Sequence, residues 1–383
     1  MKTRSKRLLL LPLLLLLASC KGTQPIQALI YVTNLGIDYQ DNKFIVYAQA
    51  LSFSNVAKSE NMEAGKKIPT WTGKGRGATP MTAIQDLYKT SQKPIFLGHL
   101  KAVIVSDRLL RNDSLSKQVI DGMNRFREAR YNILLYGTKQ KLEKLLSQKS
   151  IFNLSPLDSL LDSPNPIFQQ DSRLNPQYGF RIIAHLNEPG RTGRIPSIDL
   201  SERNWSEDTK PMPMFIINGA YFLNNEGFRG WFSAQDLNGL RWVDKDTNTA
   251  PIVVPNHSDP IALINVLRPN YKIKAFEKNG ELRFKIKVKA KARVINVMQD
   301  VSNSELEKLA RALIEQEIRD SYKNGLKDET DVLNLLGPLA RNNNKLYKKL
   351  KDENKLELTE NSIEHIQITV RIVSSGKYKN TKM

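Results

Sequence analysis

YKIKAFEKNGELRFKIKVKAKARV, residues 271–294, holds an Asn279-Gly280 pair between two alternating runs, the strongest short-range signal for a β-hairpin. In the second run Leu282, Phe284, Ile286, Val288, Ala290, Ala292 and Val294 share one face of a strand, because successive side chains point to opposite sides. Arg283, Lys285, Lys287, Lys289, Lys291 and Arg293 share the other. One face is core and the other is wet. At about 3.3 to 3.4 Å per residue the six cations form a stripe roughly 35 Å long. Two roles fit such a stripe: a solvated or aggregation-preventing strand face, and a surface that docks onto anionic lipid headgroups or an acidic partner.

Downstream of the hairpin, Ser302 and Glu305 form a capping-box pattern that starts a helix. Leu306, Leu309, Ala310, Leu313, Ile314 and Ile318 then make an apolar stripe suited to lie on the sheet. A closing strand alternates Ile366, Ile368, Val370 and Ile372. The expected fold of the C-terminal region is therefore α+β, an antiparallel sheet packed by a long helix.

Upstream, MFIINGAYFLNNEGFRGWFS (214–233) reads as two strands around a turn at Asn224 to Gly227, followed by a short helix capped by Ser233 and Asp236 and carrying Leu237 and Leu240. Residues 150–204, with LSPLDSLLDSPNP and NEPGRTGRIPS, read as a proline-rich connection with partial structure. Earlier still, ALIYVTNLGIDYQDNKFIVYAQALSF (28–53) suggests a hairpin turning around Tyr39 to Asn42. Residues 54–77 read as a polar, glycine-rich loop. Thr79 then caps a helix with Pro80 in its first position and Met81, Ile84, Leu87 and Tyr88 at helical spacing. HLKAVIVSD and YNILLYG supply two strands separated by a helix near 114–126, so this region is mixed α/β.

The first residues set the compartment. Lys2, Arg4, Lys6 and Arg7 precede an apolar run from Leu8 to Leu17 that includes Pro12, too short to span a bilayer and the right length for an export signal. LLLLLASCKG (13–22) contains the only cysteine of the 383 residues, Cys20. Its flanks suit an ordinary secretory cut poorly, because Leu17 is bulky where a small side chain is wanted. Leu-Ala-Ser-Cys is similar to the lipobox of bacterial lipoproteins, in which the thiol takes a diacylglycerol and the chain is cut before it. Two acyl chains suffice for stable attachment at about 0.8 kcal/mol per buried CH₂. With no second cysteine there is no intramolecular disulfide, and core burial alone must hold the fold. The expected division is a signal peptide at 1–19, a mixed α/β domain at 20–150, the connection at 151–204, a middle α/β domain at 205–258 and a C-terminal α+β domain at 259–378.

The formal charge is +19, of which +15 remains without the leader. Such a surplus concentrates anions near the surface. Nucleic acid is not an expected partner outside the membrane, and no aromatic pattern accompanies the basic residues. His99, His185, His257 and His365 show no metal-ligand spacing. There is no G-x-S-x-G elbow, catalytic cysteine or Walker lysine. GKGRGAT (73–79) fits neither phosphate-binding glycine motif and reads as part of the loop. No catalytic residue, metal site or cofactor is expected, apart from covalent lipid on Cys20.

Taken in order, the lipobox, VTNLGID, GATPMTAIQDL with FLGHLKAVIVSD, IINGAYFLNNEGFRGWFS with GLRW, and the strand–helix–strand ending in IQITVRI resemble the Ger(x)C-type lipoproteins, the C subunits of nutrient germinant receptors in endospore-forming bacteria. Lys21-Gly22 stand where that family commonly has Trp-Asp. The resemblance implies three mixed α/β domains, a lipid anchor at Cys20 on the outer face of the cell or spore inner membrane, and two integral-membrane partner subunits. It brings no catalytic residue. Gly36, Asp38, Gly98, His99, Lys101, Gly219 and Gly230 match recurrent positions, where turn and packing roles are expected. A solute-binding lipoprotein of a transporter is the alternative, and it calls for two similar lobes around a cleft. A lipid-anchored wall hydrolase is a third reading, and it calls for convergent acids or a metal site.

Overall fold

A computed structural model describes residues 28–51, 69–125, 132–153, 156–255 and 259–374. The export signal, Cys20, His257 and the tether at 21–27 lie outside the described residues. In chain order the elements are β1 (Ile30–Gln40), β2 (Lys43–Leu51), β3 (Trp71–Gly77), α1 (Pro80–Tyr88), β4 (Ile95–Phe96), β5 (Ala102–Ser106), α2 (Asp107–Leu110), α3 (Asp113–Arg125), β6 (Leu134–Thr138) and α4 (Leu142–Ser147). There follow α5 (Asn165–Gln170), α6 (Gly179–Asn187), β7 (Gly193–Ser201), the short ribbon β8 (Ser206–Glu207) and β9 (Lys210–Pro211), then β10 (Met214–Asn224), β11 (Gly227–Ser233), a 3₁₀ turn at Asn238–Trp242 and β12 (Thr249–Val254). The chain closes with β13 (Ala262–Lys278), β14 (Glu281–Val297), α7 (Asn303–Leu326), α8 (Leu336–Asn342), α9 (Asn344–Asp352) and β15 (Ile363–Ser374).

Two sheets organise these elements. The larger runs β11-β10-β7-β6-β5-β1-β2-β3, with β4 beside β1. Its central strands β1, β5 and β6 run parallel and are apolar on both faces, as a doubly covered sheet demands. One face carries α1, α2, α3 and α6 through Ile84, Leu109, Val119 and Ile182; the other carries α4 through Leu142, Leu145 and Leu146. The smaller sheet runs β12-β13-β14-β15.

Two expectations change here. The glycine-rich stretch at 71–77 is a strand, not a loop: β3 pairs with β2 from Phe44↔Gly77 to Ala50↔Trp71. Its alternate glycines share one face, and a Cβ on Gly75 would stand 2.1 Å from the Ala83 carbonyl oxygen. The glycines therefore let α1 lie directly on the strand edge, which a polarity argument misreads as a turn. The buried face of α1 is Ala83, Ile84 and Leu87, while Met81 and Tyr88 are exposed. Thr79 and Pro80 begin it as expected.

The connection at 151–204 is also more than a connection. It contributes α5, α6 and β7, and β7 enters the large sheet between β6 and β10. Strand pairing likewise crosses the expected division at 204, since β10 pairs with β7, and the one at 258, since β12 pairs with β13. Prolines and polar residues hid β7: Pro196 stands within the strand opposite Ala220, next to Ser197, which pairs with Gly219 at the Ile217/Gly219 register shift.

The smaller sheet is α+β as expected, with the Asn279-Gly280 turn at φ 53° and 76° and the pairing Lys278↔Glu281. Its last strand runs parallel to β14, which the α7–α9 crossover permits. Ser302 caps α7 by accepting from the Glu305 backbone N–H at 3.2 Å, and Leu306, Ala310, Ile314 and Ile318 are buried against the sheet. Ser233 and Asp236 exchange reciprocal side-chain to backbone bonds of 3.1 Å before the 238–242 turn.

That turn, GLRW, joins the two sheets' layers to α7. A Cβ on Gly239 would lie 2.2 Å from the Glu317 carbonyl oxygen, so only glycine allows the approach. Arg241 then donates to both Glu317 carboxylate oxygens at 2.8 and 3.0 Å, and Trp242 Nε1 donates to one at 2.6 Å. The Arg241 and Glu317 side chains are 6% and 9% exposed.

Candidate functional site

The alternation of the hairpin determines the site. Leu282, Phe284, Ile286, Val288, Ala292 and Val294 are buried beneath β14, and Lys285, Lys287, Lys289, Lys291 and Arg293 are exposed above it. Because β14 lies between β13 and β15, the stripe runs down the middle of a sheet and is not an edge device. Its neighbours in register extend it sideways. Lys285 stands opposite Lys274 and Lys287 opposite Lys272 on β13, while Lys291 stands opposite Arg371 on β15.

Arg283 departs from the expected stripe. Its guanidinium is half-buried, pairs with Glu281 and donates to the Asn361 carbonyl, so it closes the strand end. Lys285 rests over the Phe276 ring at 4.9 Å. Among the described residues, Lys272, Lys274, Lys287, Lys289, Lys291, Arg293 and Arg371 are in no ion pair, and the acids near the hairpin tip are engaged elsewhere: Glu364 with Lys278 and Glu277 with Lys349, each at 2.8 Å. Like charges held at strand spacing repel one another, so the face carries a positive potential that a matching anionic surface would relieve.

Past the register shift at the end of β14 the character changes. Ile295, Val297 and Met298 are exposed, as are Val253 on β12 and Val373 on β15, although Val297 stands opposite the buried Ala262 and so leaves the face of the stripe.

The sequence reading missed Lys272, Lys274 and Arg371. The first two were available, because a two-residue turn at 279–280 sets 274 against 285 and 272 against 287. Arg371 was not, since nothing local announces that β15 is parallel or where its register falls.

Other matched positions have structural work. Asp38 is buried and accepts from Ser106 Oγ at 2.5 Å and from Arg108 Nε and Nη2 at 2.7 and 2.6 Å, tying β1 to the start of α2. Gly36 lies under Leu142 and Leu146. His99 makes edge-on ring contacts with Tyr31 and Phe96 at 5.2 and 5.8 Å. Among the described residues no cluster of three or more His, Cys, Asp or Glu is arranged to hold a metal, and no helix is long and apolar enough to cross a membrane.

Comparison with known proteins agrees in both halves of the chain. Residues 22–200 match the family described as spore germination protein N-terminal domain, and residues 217–376 match spore germination B3/GerAC like, C-terminal. Spore germination protein B3 of Bacillus subtilis (strain 168) is 23% identical over 300 residues, spanning 76% of this chain and 74% of that protein. The crystal structure of the GerBC protein superposes with a TM-score of 0.55 at 17% identity, covering 88% of this chain and 96% of that one. That likeness shows a shared fold.

Proposed function

The chain belongs to the Ger(x)C-type spore germination proteins, and from that premise we propose that it is a non-enzymatic, lipid-anchored subunit of a nutrient germinant receptor. Cys20 carries the acyl chains that hold it on the outer face of the inner membrane, beside two integral-membrane receptor subunits. The outer face of the β12–β15 sheet docks on anionic headgroups.

One observation carries the docking reading: a row of unpaired cations down the centre of a sheet, flanked by more on both neighbouring strands. Each basic group near an anionic membrane contributes about 1 kcal/mol. Five or more held rigid by one sheet act together without the entropy cost of ordering a flexible tail. The stripe is central in its sheet, which removes the protection of an open edge as its reason.

The alternative, a solute-binding lipoprotein of a transporter, calls for two like lobes. The two sheets here differ in strand number and pairing, which disfavours it.

Two experiments test the reading. Palmitate fed to producing cells is expected to label the wild-type chain and not a Cys20→Ala variant. Spores lacking the protein are expected to lose their response to at least one nutrient, and an unimpaired response to every nutrient would reject the receptor role.

A further inference from the structure

The basic sheet is not uniform along its length. Where β13 shifts register between Leu267 and Asn270, a depression of about 820 Å³ opens across β12, β13, β14 and β15. Arg268, Lys289, Lys291, Arg293 and Arg371 line it, all five of them exposed, and among the described residues no carboxylate does. Pairing brings these charges together. Lys291 stands directly opposite Arg371, Lys289 stands between Asn270 and Thr369, and Arg293 lies two residues farther along the same side of β14. Like charges set opposite one another in a sheet are unfavourable for the chain alone.

Arg268 adds a second cost. Arg268 and Pro269 together face Ala290 across the ladder, which makes a β-bulge, a device that re-aims a side chain. Arg268 has φ 40°, in the left-handed region that favours glycine, and it precedes a proline, which favours extended backbone. Glycine or asparagine would sit there with less strain. The arginine is nevertheless secured: its backbone N–H donates to the Asn248 carbonyl at 2.9 Å and its Nε to Asn248 Oδ1 at 3.0 Å. The guanidinium plane is thereby fixed through its inner nitrogen, and its outer nitrogens stay open to an acceptor with paired oxygens. Strain held at one residue and repulsion held among five are both offset by an anion seated in the depression.

The charge selects the anion. Five cations without a carboxylate favour a group that carries more than one negative charge. A phosphomonoester carries about −1.5 to −2 at pH 7 and offers three terminal oxygens, whereas a phosphodiester carries a single charge.

We propose that this depression is a headgroup site for a lipid phosphomonoester, of which phosphatidic acid is the simplest. Arg268 and Arg371 hold the phosphate oxygens, and Lys289, Lys291 and Arg293 complete the positive surround. The site rests on the docking reading of this face and adds to it a preference for one headgroup class over general negative charge.

Isothermal titration of the full chain in uncharged detergent micelles, with dihexanoyl phosphatidic acid as the probe, tests it. Dihexanoyl phosphatidylglycerol has the same acyl chains on a diester headgroup, and glycerol 3-phosphate has the monoester without the chains. The expected result is one saturable phosphatidic acid site per chain, with phosphatidylglycerol weaker by roughly tenfold or more and glycerol 3-phosphate weaker than phosphatidic acid. Arg268→Gln and Arg371→Gln are each expected to bring the two lipids to within about twofold of one another, while Lys144→Gln, on α4, keeps the full preference. Should Arg268→Gln not fold, Arg268→Gly gives the same reading, because glycine accepts φ 40° and is expected to fold at least as stably while losing the preference. Absence of a saturable phosphatidic acid site, or an undiminished preference in the folded Arg268 variants, overturns the proposal. Tighter binding of glycerol 3-phosphate than of phosphatidic acid would assign the site to a soluble ester and overturn the lipid source. Equal binding of both lipids would overturn this site and leave charge-driven docking on phosphatidylglycerol standing, so the two readings fail separately.

Discussion

Arg241 with Glu317 and the Lys285–Arg293 stripe belong to one stretch of the fold, yet they treat charge in opposite ways. The first is a single buried pair with its lone pairs satisfied by Arg241 and Trp242. The second is a row of like charges, exposed and without ion-pair partners among the described residues. A buried charge is tolerated only when it is paired and hydrogen-bonded, and breaking the pair leaves the full desolvation penalty behind. An exposed charge contributes almost nothing to folding and is free to act on something outside. The contrast separates what holds the chain together from what it presents.

The sharpest way to break that contrast is Glu317→Ala. It strands Arg241 and the Trp242 N–H in the interior, and a loss of about 3–5 kcal/mol in urea unfolding is expected. Combining Glu317→Leu with Arg241→Met removes both charges and is expected to recover most of that loss. Failure of the double variant to recover would mean that Trp242, and not the charge pair, dominates the latch.

The stripe is expected to behave in reverse. Replacing Lys285, Lys287, Lys289 and Lys291 with Gln leaves unfolding within about 0.5 kcal/mol per site. Binding to phosphatidylglycerol vesicles falls by about 4 kcal/mol, from about 1 kcal/mol for each headgroup-level charge. Vesicle flotation measures the second effect and chemical denaturation the first. A large stability loss with unchanged vesicle binding would reverse the assignment.

A smaller test comes from Asp162, whose carboxyl is pushed up to about 7 by burial, far above its ordinary value. The folded protein holds this proton between about pH 4 and 7 where the unfolded chain has released it, so its contribution to stability is present at low pH and lost as pH rises through about 7. Asp162→Asn is therefore expected to be near neutral at pH 4 and to stabilise on the order of 2 kcal/mol above pH 7. An equal effect at both ends would show that Asp162 is ionised throughout. The smallest effect is expected at Lys74 and Glu143, an exposed pair at 3.3 Å: breaking it should cost about 0–1 kcal/mol and fade with salt.

Legibility in the sequence followed the range of the interactions. The 271–294 hairpin, its two faces and the α7 cap were readable because period-two alternation, an Asn-Gly turn and a Ser cap are all local. β3 was not, since the reason for its glycines is the α1 backbone lying on them, a contact formed only after the chain returns. β7 was obscured for a similar cause, because it draws its partners from β10 and one residue of β6. At the candidate site the stripe itself could be read, whereas the arrest of Arg283 by Glu281 and Asn361 and the arrival of Arg371 depend on tertiary placement. The GLRW turn stood in the sequence as a pattern, but Glu317, 75 residues beyond Trp242, gave no sign of being its partner.

Lysine acylation footprinting of the full chain on phosphatidylglycerol vesicles, against matched phosphatidylcholine vesicles, tests the docking face most directly. Lys272, Lys274, Lys285, Lys287, Lys289 and Lys291 are expected to lose reactivity on the anionic vesicles while Lys117 and Lys144, far along the chain in the large-sheet layers, keep theirs. Uniform reactivity across both groups, or protection centred on the large sheet, would contradict the account.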